Sequence, residues 1–293
     1  MGVFSTQNIK EEKAMATFTN QATLSYNNIT VSSNIVTGEI AEVLSASKTA
    51  VSDAYSAGET LTYAVSLVNS GNAPLTDITV TDDLGAYDYD GNTLVPLTYV
   101  DGSVQYFADG VLQPAPTAVG GQTLVISGIT VPANGDVVII YQATANEFAS
   151  PETGSSITNT ATVDGTGAPA VTASATVPAA TEAVLSINKA LSPAEVTENS
   201  QITYTFMIQN TGNTAESGAV IGDTFAPVLK NITVGIDGTA AQAADYDYSD
   251  TTGEFATTAG AFTVPAAAFT RDPVTGAFAT VPGVVTVTVT GTI

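Results

Sequence analysis

Thr60–Asn72 reads TLTYAVSLVNSGN, and Gln201–Asn213 reads QITYTFMIQNTGN. Both stretches alternate apolar and polar residues, the period of a strand with one buried face. Each ends in an Asn-x-Gly-Asn cluster that supplies turn chemistry, since Asn and Gly tolerate positive φ. They begin 141 residues apart, and the same spacing carries Lys48 to Lys189, Tyr63 to Tyr204, Asn69 to Asn210, Gly71 to Gly212 and Asp82 to Asp223. An offset held constant over that distance marks a duplicated domain.

Outward from these two strands the pattern stays β. Valine, threonine and alanine dominate, Gly, Asn, Asp and Pro punctuate the runs, and no long helical period appears. This predicts an all-β chain of two tandem Ig-like β-sandwiches. Strands are expected in domain 1 at 43–50, 60–68, 77–83, 93–100, 104–108, 123–127, 136–145, 156–163 and 169–177, and in domain 2 from 184–191 and 201–209 through 284–292. The division that follows is a tail over 1–15, a hairpin over 16–42, domain 1 over 43–180 and domain 2 over 181–293.

The hairpin carries the functional expectation. Residues 157–163, ITNTATV, close domain 1, and their copy in domain 2 would fall at about position 300, beyond Ile293. Residues 18–24, FTNQATL, nearly repeat them ahead of domain 1, and 16–42 as a whole resembles 155–183. The expectation is that this hairpin completes domain 2 of a neighbouring molecule through Phe18, Asn20, Ala22 and Leu24. A heterologous contact that does not close builds a head-to-tail homopolymer. Pairing of 16–42 with domain 1, or fold-back onto its own domain 2, stays open at this point.

Composition excludes other classes. The net charge is −22, which makes nucleic acid and anionic membranes poor partners. Without cysteine or histidine there are no disulfides, no thiolate metal sites and no imidazole base. No run approaches the roughly 18 apolar residues of a membrane span, so membrane insertion is not expected. Residues 1–15 lack the apolar core of a secretory signal, so export is expected to be unconventional, to follow removal of a signal, or to accompany lysis. Phosphate loops, nucleophile elbows and zinc motifs are absent; no enzyme and no cofactor are expected.

In combination, Ser45-x-x-Lys48, Gly58–Tyr63, Val68–Asn72, Ile78–Asp82 and Ile157–Val163 resemble the bacterial surface repeat known as domain of unknown function eleven, over 43–293 and more weakly after 230. The resemblance implies an Ig-like sandwich in cell-surface and extracellular structural proteins. A two-repeat chain of this kind also resembles the main proteins of clostridial endospore appendages, which implies a filament assembled in the mother cell; lateral fibre partners are a separate expectation. A cell-surface adhesin or stalk module binding a host or matrix ligand is the alternative.

Strand parity singles out candidate chemistry. Lys48 falls in phase with Leu44 and Ala46, Asp82 with Ile78 and Val80, and Asn159 with Ile157, Ala161 and Val163. Lys189 and Asp223 repeat the first two positions, and Asn20 on the hairpin repeats the third. A buried lysine is costly unless neutralised or paired. Burial favours a neutral amine able to attack an asparagine side chain, as a Lys–Asp–Asn set does in similar Gram-positive surface domains. The candidate isopeptide sets are Lys48, Asp82 and Asn159 within domain 1, and Lys189 and Asp223 with Asn20 between molecules. A buried Lys–Asp pair with Asn as hydrogen-bond partner is the plainer reading. Asp88, Asp90 and Asn92 are weak calcium candidates that miss the EF-hand spacing. Tyr87, Tyr89, Tyr246 and Tyr248 could form a small glycan-contacting surface.

Overall fold

The structure, a computed structural model, describes residues 16–40, 43–165 and 168–293. The tail over 1–15 lies outside the described residues. Among the described residues every regular element is a strand.

Domain 1 is two sheets face to face. One runs in the order Val111–Gln113, Gln105–Ala108, Asp136–Ala145, Thr60–Asn69, Leu44–Ala50. The other runs Thr117–Val119, Leu124–Val131, Leu75–Asp82, Ser156–Gly165, Ala168–Pro178. Alternation along each strand sends one set of side chains into a common core that includes Leu61, Val65, Ile78, Val80, Ile126 and Ile139. Ala168–Pro178 also lies against Leu44–Ala50 of the opposite sheet, and Leu44 is buried.

Domain 2 repeats the first sheet, here from the opposite edge: Leu185–Ser192, Gln201–Asn210, Gly283–Thr292, Lys230–Ile236, Thr239–Ala240. Its second sheet is smaller, Gly222–Thr224, Glu254–Thr257 and Tyr246–Tyr248. The repeat predicts a strand over 216–223 to match Leu75–Asp82, yet a ladder forms only at Gly222–Thr224, with one isolated bridge from Glu216 to Val264. In domain 1 that strand is held on both edges, by Leu124–Val131 and by Ser156–Gly165. In domain 2 nothing among the described residues occupies the second edge.

Three sequence expectations change. The strand expected over 93–100 is divided at Val95-Pro96, where proline lacks the amide a ladder needs, into Asn92–Leu94 and Leu97–Tyr99. Short edge strands at Tyr87–Tyr89, Val111–Gln113 and Thr117–Val119 appear in addition. The Asn-x-Gly-Asn clusters are not positive-φ turns, for neither Gly71 nor Gly212 takes positive φ. Asn69 and Asn210 are fully buried brackets instead. The Asn69 amide donates to the Ala73 and Pro132 carbonyls, and its oxygen accepts from the Gly71 amide. Asn210 repeats this with Thr214, Pro265 and Gly212. Glycine is needed at 212 because a Cβ there would collide with the Glu182 carbonyl.

Candidate functional site

The N-terminal hairpin stands as a separate two-stranded ribbon. Ala16–Asn20 pairs with Val36–Ile40, and Thr23–Tyr26 with Ile29–Ser32. Between these ladders the Ser33 amide donates to the Ala22 carbonyl at 2.8 Å, and the Gln21 side chain to the Ser33 carbonyl at 2.8 Å. Asn27 and Asn28, at φ +43° and +61°, turn the chain between the strands. The ribbon copies Ser156–Pro178 in register as well as in sequence. Phe18 faces Gly38 where Ile157 faces Val177, and Asn20 faces Val36 where Asn159 faces Ala175; both strands shift by the same 139 positions.

Burial separates the two copies. Ile157, Asn159, Ala161 and Val163 are buried in domain 1. Their counterparts are exposed, Phe18 at 55% and Leu24 at 63%, together with Asn20 and Ala22. Domain 2 shows the complementary defect. Leu185 is 38% exposed and Ile187 58%, whereas Leu44, which holds the position of Leu185 in domain 1, is buried. An open apolar groove runs there, lined by Leu185, Ile187, Ile208, Ala219, Ile221 and Phe262.

The Lys–Asp–Asn set of domain 1 comes together in the core. Lys48 Nζ lies 2.5 Å from Asp82 Oδ2, both side chains fully buried. Asp82 Oδ2 also accepts from the Tyr141 hydroxyl at 2.6 Å, and Oδ1 from the Leu84 amide at 3.0 Å. Asn159 Nδ2 donates to the Tyr141 oxygen at 3.2 Å. Tyr141 therefore stands between Asp82 and Asn159, hydrogen-bonded to both. Asn159 Oδ1 and the Tyr63 hydroxyl are buried with no hydrogen-bond partner. The ammonium lies 5.1 Å from the centre of the Tyr63 ring and 5.9 Å from that of Tyr141. Burial pulls the Lys48 pKa below its ordinary value, with Asp82 opposing the shift. Burial pushes the Tyr63 and Tyr141 hydroxyls up, and Asp82 adds to both shifts.

In domain 2 the pair Lys189–Asp223 also forms, but the lysine side chain is 41% exposed. It is not the buried lysine that parity predicts, because the strand that would cover it is missing from the described fold. Its ammonium lies over Tyr204, which holds the place of Tyr63, with Phe206 and Phe225 nearby. Val289 faces Tyr204 where Tyr141 faces Tyr63, so this set has no second tyrosine.

No protein-family model matches the chain, and no curated protein matches it. Solved structures do. The major pilin subunit BcpA of Bacillus cereus is 11% identical over 91% of this chain and 73% of its own, with a TM-score of 0.34. The major pilin SpaD of Corynebacterium diphtheriae is 15% identical over 73% of this chain and 49% of its own, at 0.35. The pilus backbone RrgB of Streptococcus pneumoniae is 12% identical over 82% and 55%, at 0.34. This chain spans about half the length of the latter two. Likenesses this shallow carry no argument about what the chain does.

The remaining candidates fall elsewhere. Asp90 and Gly91 take positive φ in the two-residue turn of the hairpin that bears Asp88 and Asn92, so turn geometry accounts for them. Among the described residues no three acidic groups gather to hold a cation. Tyr87 and Tyr89 are half-buried rather than an open glycan surface. The Arg271 guanidinium donates to the Tyr87 hydroxyl at 2.6 Å and lies 3.7 Å from the centre of the Tyr89 ring. Tyr248 hydrogen-bonds the Leu229 carbonyl, and Tyr246 packs on Phe255. Sequence reading missed Tyr141 and Arg271. Tyr141 is a hydroxyl in apolar phase, legible only as a core aromatic. Arg271 is the chain's one arginine, which was the available signal.

Proposed function

We propose that the chain is the structural subunit of an extracellular filament, polymerising head to tail as the ribbon over 16–40 of one molecule fills the open face of domain 2 in the next. One observation carries this: the same residue pattern in the same register is buried in domain 1 and bare on the ribbon, while domain 2 leaves bare the surface that such a ribbon covers in domain 1. Each large apolar side chain taken from water contributes about 1.5–3 kcal/mol, and ladder hydrogen bonds add to that. An endospore appendage is the setting, on the strength of the resemblance to such subunits. Negative-stain microscopy tests the reading: purified protein forms filaments, and removal of residues 1–42 leaves monomers. Filaments that persist without those residues would overturn it.

Within domain 1 the buried cluster supports an autocatalytic amide between Lys48 and Asn159. The shared proton passes from Lys48 to Asp82, and the neutral amine attacks Asn159 Cγ. The Nζ–Cγ bond forms, the Cγ–Nδ2 bond breaks and ammonia leaves. Tyr141, hydrogen-bonded to both Asp82 and Asn159 Nδ2, is placed to relay a proton to the departing nitrogen. An intact mass lower by one ammonia is the expected outcome, with Tyr141→Phe slowing its appearance; the full unreacted mass rules the bond out. Lys189, Asp223 and the incoming Asn20 form the corresponding set between subunits, without the second tyrosine. Its signature is a ladder of oligomers that survives boiling in denaturant.

A further inference from the structure

The two offsets that relate the repeats also fix how the ribbon would sit in its neighbour, a deduction that rests on the head-to-tail reading. In domain 1 the closing strand pairs antiparallel with Leu75–Asp82: Ala161 opposite Asp82, Thr162 opposite Thr81, Val163 opposite Val80 and Asp164 opposite Thr79. The ribbon strand lies 139 positions before the closing strand, and the acceptor strand 141 positions after Leu75–Asp82. We infer that the ladder between two copies sets Ala22 opposite Asp223, Thr23 opposite Gly222, Leu24 opposite Ile221 and Ser25 opposite Val220.

The free backbone of domain 2 agrees with this placement. The Ile221 amide donates to Thr257 Oγ1, the Ile221 carbonyl accepts from the Thr257 amide, and the Phe225 amide donates to the Gly253 carbonyl. Residues 221 and 225 therefore turn their backbone groups toward the strand Glu254–Thr257. By the alternation of a strand, 220, 222 and 224 turn theirs the other way, to the unoccupied edge, where the Thr224 amide is held by Asp223 Oδ1. In domain 1 the Asp83 amide donates to the Thr160 carbonyl, so 79, 81 and 83 are the residues that face the closing strand. Those positions map onto 220, 222 and 224, so the donor and acceptor rows match.

Side chains agree as well. In this register Leu24 and Ala22 point into the groove beside Ile221, and Asn20 comes to the side of the Lys189–Asp223 pair. By the same offset Ile29–Ser32 takes the course of 168–171, the part of that strand nearest the positions of Leu185 and Ile187, and Val36–Ile40 continues along the course of 175–179. Gly38 gives that strand a low profile where Phe18 already fills the space above it, since a Cβ at 38 would meet the Phe18 ring. A slip of one residue would turn Leu24 to solvent and put Thr23 in the groove. The hydrophobic pattern and the backbone polarity therefore select the same alignment.

The chain has no cysteine, so a paired substitution reports one contact without interference. Thr23 and Gly222 are exposed and lie outside the core, and directly opposed residues in an antiparallel ladder come within about 5.5 Å between Cα atoms, inside the range a disulfide spans. The Thr23→Cys/Gly222→Cys variant, oxidised after assembly and run on a non-reducing denaturing gel, is expected to give a ladder of oligomers that reductant dissolves. The Thr23→Cys/Val220→Cys and Ser25→Cys/Gly222→Cys variants, displaced by two residues, are expected to remain largely uncross-linked. Filaments by microscopy with the strong ladder in a displaced variant would overturn the register and leave the head-to-tail reading intact. A reductant-sensitive monomer, cross-linked to itself, or protein that never assembles, would overturn both.

Discussion

Lys48 and Lys189 are the same residue of the same repeat in two environments, and a single substitution should separate them. Removing Lys48 leaves Asp82 buried with only the Tyr141 hydroxyl and the Leu84 amide to hold its charge. Breaking a buried pair on one side costs about 3–5 kcal/mol, whereas an exposed pair contributes about 0–1. Lys48→Met should therefore lower the urea midpoint of domain 1 strongly. Lys189→Met should barely move the unassembled protein, because its side chain is 41% exposed. The core tyrosines set a limit at the alkaline end. Burial raises the Tyr55 hydroxyl from 10.0 to about 12. An acid with a raised folded-state pKa keeps its proton when folded and releases it when unfolded, so its contribution is whole below the unfolded value and lost as pH climbs through the folded one. Stability should fall between pH 10 and 12, with Tyr63 and Tyr141 pulling the same way. Tyr55→Phe should flatten that fall in urea melts taken across the window. At neutral pH it costs about 0.5–1.5 kcal/mol for the hydrogen bond its hydroxyl donates to the Ser150 carbonyl.

Among the elements, the hairpin of Ala268–Arg271 and Phe278–Val281 has no counterpart in domain 1. There Val131-Pro132-Ala133 leads almost at once to Gly135; in domain 2 Val264-Pro265-Ala266 is separated from Gly283 by this hairpin. It reaches back to domain 1, where Arg271 lies between Tyr87 and Tyr89 and the Phe278 amide donates to the Glu147 carbonyl. Arg271→Ala removes a partly desolvated cation–π contact worth about 0.5–2 kcal/mol. Amide exchange at Phe278 and along Tyr87–Tyr89 should rise in this variant while the core strands of both domains stay protected. Such an element was invisible in a reading built on the repeat, because an insertion has no second copy to align with. The long strands were legible for the opposite reason: Thr60–Asn69 and Gln201–Asn210 carry a period of two along their whole length and duplicate each other. Lys48 and Asp82 were legible as charges in an apolar phase. Tyr141 was not, because its ring satisfies that phase and its hydroxyl gains a role only from partners far along the chain. In sequence Asn69 reads as a turn former, because the Pro132 carbonyl that explains its burial lies in a distant segment.

For the molecule as a whole, folding and the proposed assembly draw on separate copies of one pattern, so they can be broken separately. Leu24 and Val163 occupy matching places on the ribbon and on the closing strand; Leu24 is 63% exposed and Val163 is fully buried. An aspartate at 163 would put an unpaired carboxylate in the core of domain 1, at a cost of several kcal/mol. An aspartate at 24 would stay in water in the unassembled molecule, where surface changes usually fall within about 0.5 kcal/mol. In the proposed assembly the cost appears only when the ribbon enters the next subunit, where the same carboxylate would lose its water beside Ile221. Leu24→Asp should therefore keep the monomer's thermal midpoint and eliminate filaments in microscopy and sedimentation, while Val163→Asp should lose the fold itself. The converse mixture sharpens the assignment. A Leu24→Asp molecule still offers an intact groove, so it should cap chains grown from unmodified subunits and shorten them in proportion to its share. If it neither shortened filaments nor entered them, the groove of domain 2 would not be the receiving surface.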